Sequence, residues 1–155
     1  MKKIFCLACG FAVLFGMAQQ GFCEESKRAA KIIEVKGDVS IKHPKGKWMP
    51  AEVGIELNEG DVVRTKANSS ALLNVDGEGE TATVTVKENS QLFLSQLVVD
   101  KEKATQKTLL DLALGEVSIK AEKVHSKDSK FQVKTPTSVV GVRGTEFTVE
   151  VEALD

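Results

Sequence analysis

Thr81-Ala82-Thr83-Val84-Thr85-Val86 places threonine at every odd position and an apolar residue at every even one. Period two is the repeat of a β-strand, whose successive side chains point to opposite faces, so this segment reads as a strand with one wet and one buried face. Thr145 to Glu152 repeats the pattern, with Phe147, Val149 and Val151 on one face and Glu146, Thr148, Glu150 and Glu152 on the other. One-sided strands of this kind suit an antiparallel arrangement.

Outward from these two segments, brief alternating runs recur between Gly, Asn, Asp and Pro. Candidate strands are 31–35, 38–43, 61–65, 71–75, 81–86, 91–94, 108–114, 116–121, 130–135 and 145–152, and no helical periodicity interrupts them. Many short strands with turn signals between them point to an all-β domain, a β-sandwich or jelly-roll-like fold, with a β-solenoid as the alternative. One internal echo stands out. Gly37-Asp38-Val39-Ser40-Ile41-Lys42 is matched by Gly115-Glu116-Val117-Ser118-Ile119-Lys120, which differs only by Glu for Asp. Two copies do not make a solenoid, so the echo reads as two similar hairpins in one sheet system, each opened by a glycine that redirects the chain.

The N-terminus has the layout of a secretory signal: Lys2-Lys3, an apolar stretch from Ile4 to Ala18, then Gln19-Gln20. The run ends before the roughly 20 apolar residues that a stable span requires. Small-x-small sites allow cleavage after Ala18 or after Cys23, and the second is preferred, giving a signal peptide at 1–23, a linker at 24–30 and an all-β domain at 31–152. The exported chain is expected in the periplasm or outside the cell, with no stable membrane span after cleavage. Cys6, Cys9 and Cys23 all lie in this leader, which excludes a disulfide framework or a cysteine metal cluster in the mature domain. About 130 residues can bury a sufficient core without such staples.

Basic and acidic residues number 21 and 22, and loss of Lys2 and Lys3 with the leader leaves a modest negative balance. That balance carries no electrostatic footprint for nucleic acid. The two histidines, His43 and His125, sit in polar loop sequence, and the contiguous Ser126, His125 and Asp128 do not make a triad, which is defined by spatial roles. Asp76-Gly77-Glu78-Gly79-Glu80 lacks the ligand ladder of a calcium loop and reads as a hairpin turn. No catalytic residue, metal site or cofactor is therefore assigned.

In order along the chain come Gly37-Asp38-Val39, Trp48, Gly54 with Leu57, Gly60-Asp61-Val62-Val63-Arg64-Thr65, and Ala71-Leu72-Leu73. These are followed by Leu112-Ala113-Leu114-Gly115-Glu116-Val117, Phe131-Gln132-Val133-Lys134-Thr135-Pro136 and Val140-Gly141-Val142-Arg143-Gly144-Thr145-Glu146-Phe147. This ordered set, over roughly Lys31 to Val151, resembles the FecR domain family. The resemblance implies an all-β domain outside the cytoplasm, in the best-known members the periplasmic segment of a transmembrane anti-sigma regulator that senses an outer-membrane receptor. Without that plan's cytoplasmic helical domain or full membrane helix, the expectation here is a stand-alone, non-enzymatic, exported interaction module of the periplasm or cell envelope, with signal sensing as its context.

The expected partner is an envelope or outer-membrane protein, and a carbohydrate or peptidoglycan-binding domain holding cell-wall glycan is the alternative. Arg143, Arg64 and Trp48 are the candidate binding residues. Arg143, bracketed by Gly141 and Gly144, can offer a bidentate fork to a carboxylate, or form an ion pair within the domain. Arg64 is expected to pair with a carboxylate such as Asp61 and hold a corner together. Trp48 is expected to cap the core edge with its ring buried. With aromatics at 5% and no tyrosine, an extended sugar-stacking platform is disfavoured.

Overall fold

The computed structural model describes residues 25–75, 82–100, 102, 105–121, 129–142, 144 and 146–152. The leader, the acidic stretch 76–80, His125 and Arg143 lie outside the described residues. Among the described residues thirteen strands follow one another: β1 (Glu25–Lys27), β2 (Ala30–Lys36), β3 (Val39–Lys42), β4 (Trp48–Pro50), β5 (Glu56–Leu57), β6 (Val62–Thr65), β7 (Ser70–Asn74), β8 (Ala82–Val86), β9 (Gln91–Asp100), β10 (Thr105–Ala121), β11 (Lys130–Lys134), β12 (Val139–Val142) and β13 (Glu146–Val151). The fold is all-β, and no helix occurs among the described residues.

The strands form one curled sheet, a half-barrel whose two wings share β10. One wing runs β4-β3-β6-β9-β10-β11-β12, with β1 also on β9; the other runs β13-β10-β8-β7-β2-β5. Among the described residues, β10 with β11 is the parallel pairing and the others are antiparallel. The inner faces of both wings meet in a single core built from Ile32, Ile41, Val63, Leu73, Val84, Leu92, Leu94, Leu112, Val117 and Ile119 among others. Ala82, Val84 and Val86 are buried while Thr83 and Thr85 are half-exposed, as the alternation in that segment requires. In the last strand Val149 is buried, and Phe147 and Val151 pack against the same core.

The echoed hexapeptides occupy equivalent places. Gly37 (φ 74°) and Gly115 (φ 90°) each mark a point where the chain passes from one wing to the other. At each, a buried serine from a neighbouring turn sits against the glycine: the N–H of Asp38 donates to Ser69 Oγ at 2.8 Å, and the N–H of Glu116 donates to Ser90 Oγ at 2.9 Å. The turns themselves match, Lys66-Ala67-Asn68-Ser69 and Lys87-Glu88-Asn89-Ser90, with both asparagines at positive φ (54° and 52°). Asparagine tolerates that conformation better than most residues with a side chain. Each turn's lysine pairs with the acidic residue of its hexapeptide, Lys66 with Asp38 and Lys87 with Glu116. The echo is thus a repeated corner, a glycine bend locked by a serine hydroxyl from a Lys-x-Asn-Ser turn.

Several boundaries differ from the sequence expectation. The segments 108–114 and 116–121 form one continuous strand through Gly115, and β9 extends beyond Leu94 to Asp100. Residues 25–27, read as linker, form β1 and pair with Val98, Val99 and Asp100. Short β4, β5 and β12 have no alternation long enough to announce them; their pairing partners define them.

Candidate functional site

Residues in register across a sheet share a face. Inward-facing Val39 and Ile41 leave Ser40 and Lys42 of β3 pointing out, and the register then places Trp48 beside Lys42 and Arg64 beside Ser40 on that outer face. Trp48 and Arg64 are therefore diagonal neighbours across β3, with only the small Ser40 between Arg64 and the edge strand. The Arg64 guanidinium carbon lies 4.0 Å from the Trp48 ring centroid, and Lys42 Nζ lies 6.0 Å from it. The ring quadrupole attracts both cations.

This geometry corrects two expectations. Trp48 does not cap the core: it stands 37% exposed on the outer face. Arg64 does not pair with Asp61, because positions 61, 63 and 65 point inward and Arg64 points out. Asp61 is instead fully buried, and its carboxylate has two other partners. The backbone N–H of Asn58 donates to Oδ2 at 2.7 Å, and His43 Nδ1 lies 2.8 Å from Oδ1. Lys42 pairs with Val62, so His43 and Asp61 are the next cross-strand neighbours along. The contact closes the corner of β3 and β6, a role that the expectation had given to Arg64. His43, read as a loop residue, is thus tied to the fold.

Trp48, Arg64 and Lys42 form a platform at one end of the outer face. Lys45 and Lys47 lie in the hairpin joining β3 to β4, so the charge around the ring is basic. In register beyond Trp48 and Lys42 come Val62, Phe93, Asp111, Lys134 and Val139, one row crossing seven strands. A shallow depression between Arg64, Ser90, Gln91 and Leu114 continues the surface towards β10. Chemically the platform offers guanidinium and ammonium donors beside a partly open indole, which suits a carboxylate or another anion carried on an apolar body. Arg143, the third candidate, lies outside the described residues.

Sequence reasoning singled out Trp48 and Arg64 separately and missed Lys42. The hairpin signal in Pro44-Lys45-Gly46, which sets Lys42 opposite Trp48, could have found it. No grouping of three or more His, Cys, Asp or Glu side chains with metal-site geometry occurs among the described residues. The family model described as FecR protein matches residues 61–155, more than half of the chain. No curated protein and no solved structure matches it.

Proposed function

The chain belongs to the FecR protein family, and from that premise we propose that it is a protein-interaction module with a signal-sensing role in the periplasm or cell envelope, its partner an envelope or outer-membrane protein. The supporting observation is the Trp48–Arg64–Lys42 platform: an exposed tryptophan and a stacked arginine on a sheet face are residue types that dominate binding energy at protein interfaces. Stacking pre-orients the Arg64 guanidinium, so less side-chain freedom is lost when a partner carboxylate engages it. Export by the leader and the absence of catalysis belong to the same reading.

The exposure of Trp48 favours a second reading, a cell-wall glycan stacked on the indole. Against it, the Arg64 guanidinium already occupies a face of the ring, and a sugar would have to displace it.

The two readings separate in one experiment. The full chain with a C-terminal tag is crosslinked in cells and captured from envelope extract, beside Arg64→Ala and Trp48→Ala variants of matched melting temperature. An envelope protein recovered with the parent and lost from both variants supports the first reading. Glycan on the parent without a protein supports the second, and a protein retained by both variants removes the platform as its site.

A further inference from the structure

An edge strand exposes main-chain N–H and C=O groups that can template another strand, and folded proteins guard such edges with proline, charge or brevity. Four of the edges here are guarded. The N–H of Ala51 donates to Val39 O at 2.9 Å, so alternation along β4 turns the backbone groups of Trp48 and Pro50 away from β3, and Pro50 has no N–H to offer. β5 has two residues and β1 has three, the last of them charged Lys27. β13 carries exposed Glu146 and Glu150.

β12 has none of these protections. Its sequence is Val139-Val140-Gly141-Val142, without charge or proline, and Val139 is 57% exposed. The N–H of Thr135 donates to Ser138 O at 2.8 Å, which fixes the phase of the β11–β12 ladder. Counting along the register, Val140 and Val142 bond to β11, while Val139 and Gly141 direct their N–H and C=O groups to the open side. Among the described residues no other strand pairs with that side.

We propose that β12 is the self-association edge of this protein and that its occupant is β12 of a second copy, paired antiparallel about a two-fold axis at Val140. This edge is self-complementary. With the axis at Val140, Val139 of each copy faces Gly141 of the other, bulk against the one position without a side chain, and the outward groups of these residues meet as two reciprocal hydrogen-bonded pairs. Val140 then faces Val140 on the inner side, where it already packs against the core, so the pairing extends the core across the dimer. Within β12 itself no residue is charged. The contact is separate from the Trp48–Arg64 platform at the opposite edge of the same wing and stands or falls without it.

Gly141 also supplies the test. A Cβ there would meet nothing within 4 Å, its φ is not in the left-handed region, and its N–H is not used by β11. Gly141→Pro should therefore fold with little change in melting temperature while removing the edge donor, and Gly141→Ala should keep it. Sedimentation velocity from about 1 µM to about 1 mM brackets the weak to moderate affinities open to a short contact. The expected result is a concentration-dependent dimer for the parent and Gly141→Ala and a monomer for Gly141→Pro, with slowed exchange of the Val139 and Gly141 amides as the parent dimerises. If Gly141→Pro lowers the melting temperature, Val139→Lys replaces it and is expected to be monomeric. A monomeric parent throughout, a dimer unaffected by these substitutions, or a dimer in which the two amides exchange unchanged would overturn the proposal.

Discussion

The guanidinium of Arg64 lies 4.0 Å over the indole ring of Trp48, the two joined diagonally across β3. This contact is internal to the free protein, so it has an energy that can be measured without a partner. At a partly exposed site such a pair contributes about 0.5–1 kcal/mol. A double-mutant cycle of Arg64→Ala and Trp48→Ala, followed by urea unfolding, is expected to return a coupling of that size. A coupling near zero would mean that the stacked geometry is not maintained in solution.

Gly37 and Gly115 are two of the bends at which the chain changes wing, both at positive φ. A Cβ on Gly115 would sit 2.5 Å from Ser90 Cα, and one on Gly37 would sit 3.0 Å from Ser69 Cα. Left-handed strain and overpacking act together, so Gly115→Ala is expected to cost roughly 2–5 kcal/mol, with Gly37→Ala somewhat less. Denaturant midpoints compared with Gly141→Ala, which meets no neighbour, check both the size and the order.

Ser90 and Ser69 hold those bends. Ser90→Ala removes a buried hydroxyl and leaves the Glu116 N–H without its acceptor at a part-buried corner, and Ser69→Ala does the same to Asp38. Each is expected to destabilise by about 1–3 kcal/mol. Equal losses in thermal or urea unfolding would establish that the two corners are energetic equivalents as well as geometric ones.

Asp61 is buried and accepts from the Asn58 N–H and His43, whereas the His43 side chain is 44% exposed. Asp61→Ala removes both bonds, each to a buried carboxylate, with an expected cost of about 2–4 kcal/mol. His43→Ala removes one partner from a half-open site and should cost about 1 kcal/mol or less. The reverse order would show that the histidine, not the backbone bond, secures the corner.

Sequence alternation made legible the strands that bury one face, because period two survives wherever the core dictates every second residue. The Thr81–Val86 and Thr145–Glu152 segments are of this kind. β4 and β12 escaped for the opposite reason: Trp48-Met49-Pro50 is wholly exposed, and Val139-Val140-Gly141-Val142 has apolar residues on both faces. The site divided in the same way. Trp48 and Arg64 were visible as unusual residues, but their meeting depends on the register of three strands, which no local pattern encodes. Asp61 and His43 are 18 positions apart and were likewise joined only by register.

β10 pairs with β8, β9, β11 and β13 and lies in the last third of the chain. A ribosome that has delivered everything before Thr105 has therefore made most of the core residues but not the strand that closes them. Such a polypeptide stays open for most of its synthesis and locks late, through contacts between distant parts of the chain. The edges of its earlier strands matter most in the interval before β10 arrives.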